Sequence, residues 1–151
     1  MKTQYATCIP HEVRPEGTPW GQTVLPASPD GAFEETPTTL NTSTVLEAYG
    51  YGDVHCDVYR FWEKNFPIQT WGPYSLPLVV SCDSHAMVFF GSFGPKGLVT
   101  FQLDSSLGVD ATARAFDAET GATVRPVGTG GNYSFSLDKH SFKIVVVEKN
   151  G

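Results

Sequence analysis

Asp53 and Asp57 stand four positions apart in a stretch with helical spacing. Paired carboxyls are what glycoside hydrolysis requires, one to protonate the leaving oxygen and the other to act as base or nucleophile. The same two residues also suit a helix start, with Asp53 as N-cap and Asp57 as an acid near the positive end of the dipole. Between them, His55 and Cys56, with Asp57, form the densest group of metal-ligand types in the chain. Consecutive helical residues point ~100° apart and cannot converge on one ion. With His11, His85 and His140 scattered and no C-x-x-C or H-x-H spacing, no metal site and no cofactor are expected. Cys56 beside His55 is no better as a nucleophile, because helical neighbours seldom bring an imidazole to the sulfur.

Other candidates carry less. Glu34 and Glu35 are adjacent in a loop-like stretch and read as solvated surface. Ser81, Ser105 and Ser106 lack the strained G-x-S-x-G elbow of a serine hydrolase. Gly128, Gly130 and Gly131 are not followed by a helix start that could hold phosphate, so they read as a hairpin loop. Sugar binding asks for less machinery, namely an exposed aromatic face and a few polar side chains. Trp71, Tyr74, Tyr49 and Tyr51 lie in Gly- and Pro-rich loops where such faces are displayed, or where they cap the end of a domain. Trp62 falls on an apolar stripe and is expected in the core.

The elements that must position these residues follow from composition and pattern. The 151 residues fit one domain, and 10 Phe, 6 Tyr and 3 Trp lean towards sheet. A net charge of −6, with the few Lys and Arg scattered, excludes nucleic acid and anionic membranes as partners. No apolar run reaches the ~20 residues of a membrane span. Met1 to Pro10 shows no apolar stretch after its lysine, so no export signal is expected here and the cytoplasm is the default. Three widely spaced cysteines, Cys8, Cys56 and Cys82, suit reduced thiols better than a disulfide framework, with one bridge open to a secreted parent protein.

Residues 1–40 are broken by Pro10, Pro15, Pro19, Pro26, Pro29 and Pro37, which predicts an extended segment packed on the domain through Trp20, Val24, Leu25 and Phe33. Residues 41–66 read as helical. Val54, Val58, Phe61 and Trp62 fall at i, i+4, i+7 and i+8, and Thr44 to Tyr49 makes a separate helical turn before the Gly50 and Gly52 break. From residue 67 to 151 the pattern is β. Strands are expected at Leu76–Cys82, Ala86–Ser92, Leu98–Leu103, Thr112–Phe116, Thr123–Val127, Tyr133–Leu137 and Phe142–Glu148. About seven short strands punctuated by turns predict a mainly β fold, an antiparallel β-sandwich with one N-terminal amphipathic helix.

Several of these stretches carry a resemblance. They are Ala48-Tyr49-Gly50 through Val58-Tyr59-Arg60-Phe61-Trp62, Ala86-Met87-Val88-Phe89-Phe90 leading to Phe93-Gly94-Pro95, Phe116-Asp117-Ala118-Glu119-Thr120-Gly121, and Lys139-His140-Ser141-Phe142-Lys143. Over Ala48 to Glu148 the chain resembles the C-terminal β-sandwich accessory domain of glycoside-hydrolase-like bacterial proteins, which follows a catalytic barrel. The resemblance implies a non-catalytic domain that packs on such a barrel, with the Val54–Trp62 helix as the barrel's last. The barrel itself, ~250 residues, does not fit in this chain. Apolar surface left by its absence would favour a homodimer. A second reading is a carbohydrate-binding module using Trp71, Tyr74, Tyr49 and Tyr51. A third is a small hydrolase combining Asp53 or Asp57 with His55.

Overall fold

The computed structural model describes residues 44–72, 75–92 and 94–149. The Pro-rich segment 1–40, with Glu34 and Glu35, and also Tyr74 and Phe93, lie outside the described residues.

Among the described residues, nine strands form two antiparallel sheets. In chain order they are β1 (Asp57–Arg60), β2 (Ile68–Trp71), β3 (Ser75–Ser81), β4 (His85–Ser92), β5 (Gly97–Leu103), β6 (Ala115–Asp117), β7 (Arg125–Val127), β8 (Asn132–Leu137) and β9 (Phe142–Glu148). The five-stranded sheet has the order β1-β3-β4-β9-β6, and the four-stranded sheet β2-β5-β8-β7. The sandwich expectation is borne out, and the strands read from the sequence reappear within a few residues of their expected ends. β1 and β2 are additions.

Patterning explains which sheet sits where. The runs Leu78–Val80, Met87–Phe90 and Ile144–Val147 are apolar without alternation, and their sheet is buried on both faces. Val79, Val88, Phe90, Val145 and Val147 face the other sheet, where they meet Ile68, Val99, Phe101, Tyr133, Phe135 and Leu137. Phe90 is the hub, with ring centroids 5.0 Å from both Phe101 and Phe135. Burying a side chain of this size contributes roughly 2 to 3 kcal/mol. On the opposite face Leu78, Val80, Met87, Phe89, Ile144 and Val146 form a second cluster with Leu46 and Tyr51. β5 and β8 alternate instead, as strands buried on one face do: Val99 and Phe101 are buried while Leu98 is 63% exposed. Pro126, which cannot donate to a ladder, sits in edge strand β7.

The expected helix over Val54–Trp62 is not formed. Residues 44–48 are helical, and Gly50 and Gly52 then take positive φ values of 91° and 88°, which ends the helix. Asp53–Cys56 is a turn, and Asp57–Arg60 pairs with Leu78–Ser81 as β1. Val58 packs in the outer cluster and Tyr59 in the inter-sheet core, so the working period is two. Val54 is 89% exposed, and Trp62 is half-exposed in the following turn, stacked edge-on against Phe61, rather than in the core. The cysteines also differ from expectation, since Cys56 and Cys82 are joined as a disulfide between the start of β1 and the end of β3.

Candidate functional site

The sequence-derived residues scatter over the molecule. Asp53 Oδ1 accepts a 2.9 Å hydrogen bond from the His55 backbone N–H, which closes an exposed turn. Asp57 is exposed at the edge-strand start opposite Ser81, on the sheet away from the cleft described below. No group of three or more metal-ligating side chains occurs among the described residues. Tyr51 is buried in the outer cluster. Tyr49 is half-buried beside it, edge-on to His85 and Phe116, and its carbonyl lies 3.1 Å from His85 Nε2. These two tyrosines pack residues 44–51 onto the sheet. Trp71 is half-exposed at the end of β2.

What composition did not reveal is the outer face of the four-stranded sheet. Inward positions are identified by burial, and residues directly opposed across strands share a face. One outward row therefore runs Trp71, Thr100, Ser134, Arg125, and the next runs Gln69, Gln102, Asn132, Val127. Leu98 opposes Ser136 beside them. Thr100 and Ser134 hydroxyls are 3.2 Å apart, and Gln102 Nε2 donates to the Gly130 carbonyl at 3.0 Å. Gly72, at φ 129°, follows Trp71 where a Cβ would strike the Leu98 carbonyl, so the tryptophan stands on a closely packed strand end. The signal available in the sequence was the polar half of the β5 and β8 alternation.

This face runs into a cleft of about 480 Å³ at one end of the sandwich, lined by Phe66, Gln69, Gln102, Asp104, Asp110 and Tyr133 among others. Its two carboxylates are engaged by their own turns. Asp104 caps the 3-10 turn Ser105–Leu107, accepting from the Ser106 backbone N–H at 2.8 Å. Asp110 accepts from the Thr112 hydroxyl at 2.7 Å and its N–H at 2.8 Å. The Ser106 bonds hold Asp104 below the usual aspartate range, and the Thr112 bonds do the same for Asp110. Burial, with the nearby Asp110 charge, pushes the Tyr133 hydroxyl up, and that hydroxyl donates to the Ala113 carbonyl at 2.7 Å. The cleft thus offers fixed acceptors and a phenol committed to the backbone. Among the described residues that line it, both carboxylates are shifted towards the ionised form rather than towards an acid for a leaving oxygen.

No family model and no curated protein matches the sequence. Among solved structures the chain is similar to part of a candidate alpha-N-acetylgalactosaminidase from Bacillus halodurans C-125, with TM-score 0.50 and 13% identity over 76% of this chain and 26% of that one. The likeness is one of fold. Part of an Anoxybacillus alpha-amylase aligns at TM-score 0.48 and 16% identity, over 82% of this chain and 26% of that one. A maltogenic alpha-amylase from Thermotoga neapolitana aligns at 0.48 and 9%, over 74% and 26%. The chain spans about a quarter of the length of each. At the level of fold, the expected resemblance to a sandwich that accompanies glycoside-hydrolase chains holds. No helix among the described residues is long and apolar enough to cross a membrane.

Proposed function

We propose that this chain is a non-catalytic accessory domain of a carbohydrate-active protein, packing beside a catalytic domain. The observation that carries the reading is the state of the cleft carboxylates. Asp104 and Asp110 are both bound to their own turns and both held towards the ionised form, whereas hydrolysis needs one carboxyl kept as an acid. Asp53 and Asp57, with His55, sit on an exposed turn and strand edge, open to water. The fold shared with a quarter of a longer chain supports a partner role, and the Cys56–Cys82 bond supports residence in an oxidising compartment rather than the cytoplasm.

The test is to incubate the purified chain with a panel of glycosides and polysaccharides and follow the release of reducing ends. No release is expected from the chain or from its Asp104→Asn, Asp110→Asn, Asp53→Asn and Asp57→Asn variants. Release that any one of these substitutions abolishes would overturn the reading and make that carboxyl catalytic.

A second reading, carbohydrate binding through exposed aromatics, is favoured at Trp71, whose indole is half-exposed beside polar side chains. Tyr49 and Tyr51 contribute to packing instead.

A further inference from the structure

We propose that the outer face of the four-stranded sheet binds a neutral oligosaccharide laid across its strands. The proposal rests on the accessory-domain reading above for the carbohydrate class and names the surface that would hold it. The chain carries a net −6, yet the two outward rows, with Leu98 and Ser136 beside them, hold no carboxylate and a single guanidinium, that of Arg125. A polyanion would find one cation there, and a cationic ligand would meet no acid short of the cleft, where Asp104 and Asp110 are engaged by their own turns. Uncharged hydroxyls match this surface.

Among the described residues Asn132 Oδ1 is buried with no partner, in the amide row. Such an acceptor is rare in a folded protein, so hydrogen-bonding capacity is left over beside the row. Gln102 spends one amide hydrogen on Gly130, and its Oε1 remains an acceptor beside Gln69.

The rows cross four strands, roughly 14 Å from end to end, so they suit a short chain better than one sugar. Trp71, Leu98 and Val127, exposed by 50%, 63% and 47%, give the apolar contacts that the CH-rich face of a pyranose needs. Gly72, which follows the tryptophan, lies so close to the Leu98 backbone that a Cβ there would strike its carbonyl. A few placed polar groups around a rigid aromatic are the recurring design of small-ligand sites.

The experiment is affinity electrophoresis of the purified chain through gels containing a soluble α-glucan, β-glucan, xylan, galactomannan or polyuronate, with reducing ends assayed in matching solutions. Retardation is expected in at least one neutral gel. Trp71→Ala and the double variant Gln69→Ala/Gln102→Ala should weaken it about tenfold or more, and Trp62→Ala should leave it unchanged. Circular dichroism of each variant confirms that it is folded. No retardation in any neutral gel, retardation that survives both face variants, or retardation by polyuronate alone would overturn the proposal. So would a dimer in sedimentation that Leu98→Arg returns to monomer, since the face would then be a self-contact. Release of reducing ends would instead overturn the accessory reading and leave the binding face standing.

Discussion

Cys56 and Cys82, 26 positions apart in the chain, are bonded with their Cα atoms 4.5 Å apart, at the point where β1 begins against the end of β3. Gly50 lies on the same spot: a Cβ built there would run into both sulfur atoms. The helix end, the turn and the edge strand are therefore fastened together at one place.

Opening the disulfide should loosen that edge. A loop of this length is worth about 3.5 kcal/mol in the chain-entropy account. Reduction, or the Cys56→Ala/Cys82→Ala variant, should lower the denaturation midpoint accordingly in chemical unfolding. Thiol titration of the unfolded, unreduced chain should find Cys8 alone, against three thiols after reduction. Three thiols before reduction would show that the bond does not form.

Gly50→Ala should cost roughly 2 to 3 kcal/mol, because a side chain at φ 91° is strained and the sulfur atoms occupy its space. Measured in the Cys56→Ala/Cys82→Ala background, the cost should fall, since the steric part depends on the bridge. Equal costs in both backgrounds would leave only the backbone conformation as the cause.

Asp117 should set an acid limit on stability. Burial alone would raise its carboxyl. The 2.6 Å bond and charge of Lys143, with the Glu119 and Thr120 backbone amides, more than reverse this and hold it below the aspartate range. A depressed folded value means that the stabilisation is fully present above the unfolded aspartate value, about 3.9, and is lost as pH falls through the lower folded one. Asp117→Asn should cost about 2 kcal/mol at neutral pH. Its stability should also fall less steeply than the parent's below about pH 4 in urea titrations. Parallel pH profiles would remove Asp117 from the account.

The strand pattern was legible because it is local. Phe142–Glu148 carries an unbroken apolar run and Leu98 to Leu103 an alternation, both bounded by turn residues, and such segments need a sheet whatever surrounds them. The Val54–Trp62 stripe misled for the same local reason. Its spacing suits a helix, but Gly50 and Gly52 stop the preceding turn, and the free edge of β3 and the sulfur of Cys82 draw Asp57–Arg60 into a ladder. Tyr49 and Tyr51 sit next to glycines, as exposed loop residues do, yet the uncovered face of the five-stranded sheet takes them in. Trp71, Gln69, Gln102 and Asn132 are up to 63 positions apart, and only the pairing of β2 with β5 and of β5 with β8 sets them in adjoining rows. The sequence by itself determined which segments alternate and that two sheets must pack. Register is a non-local choice in which a slip of one residue reverses every side chain, so only the tertiary structure decided which residues meet.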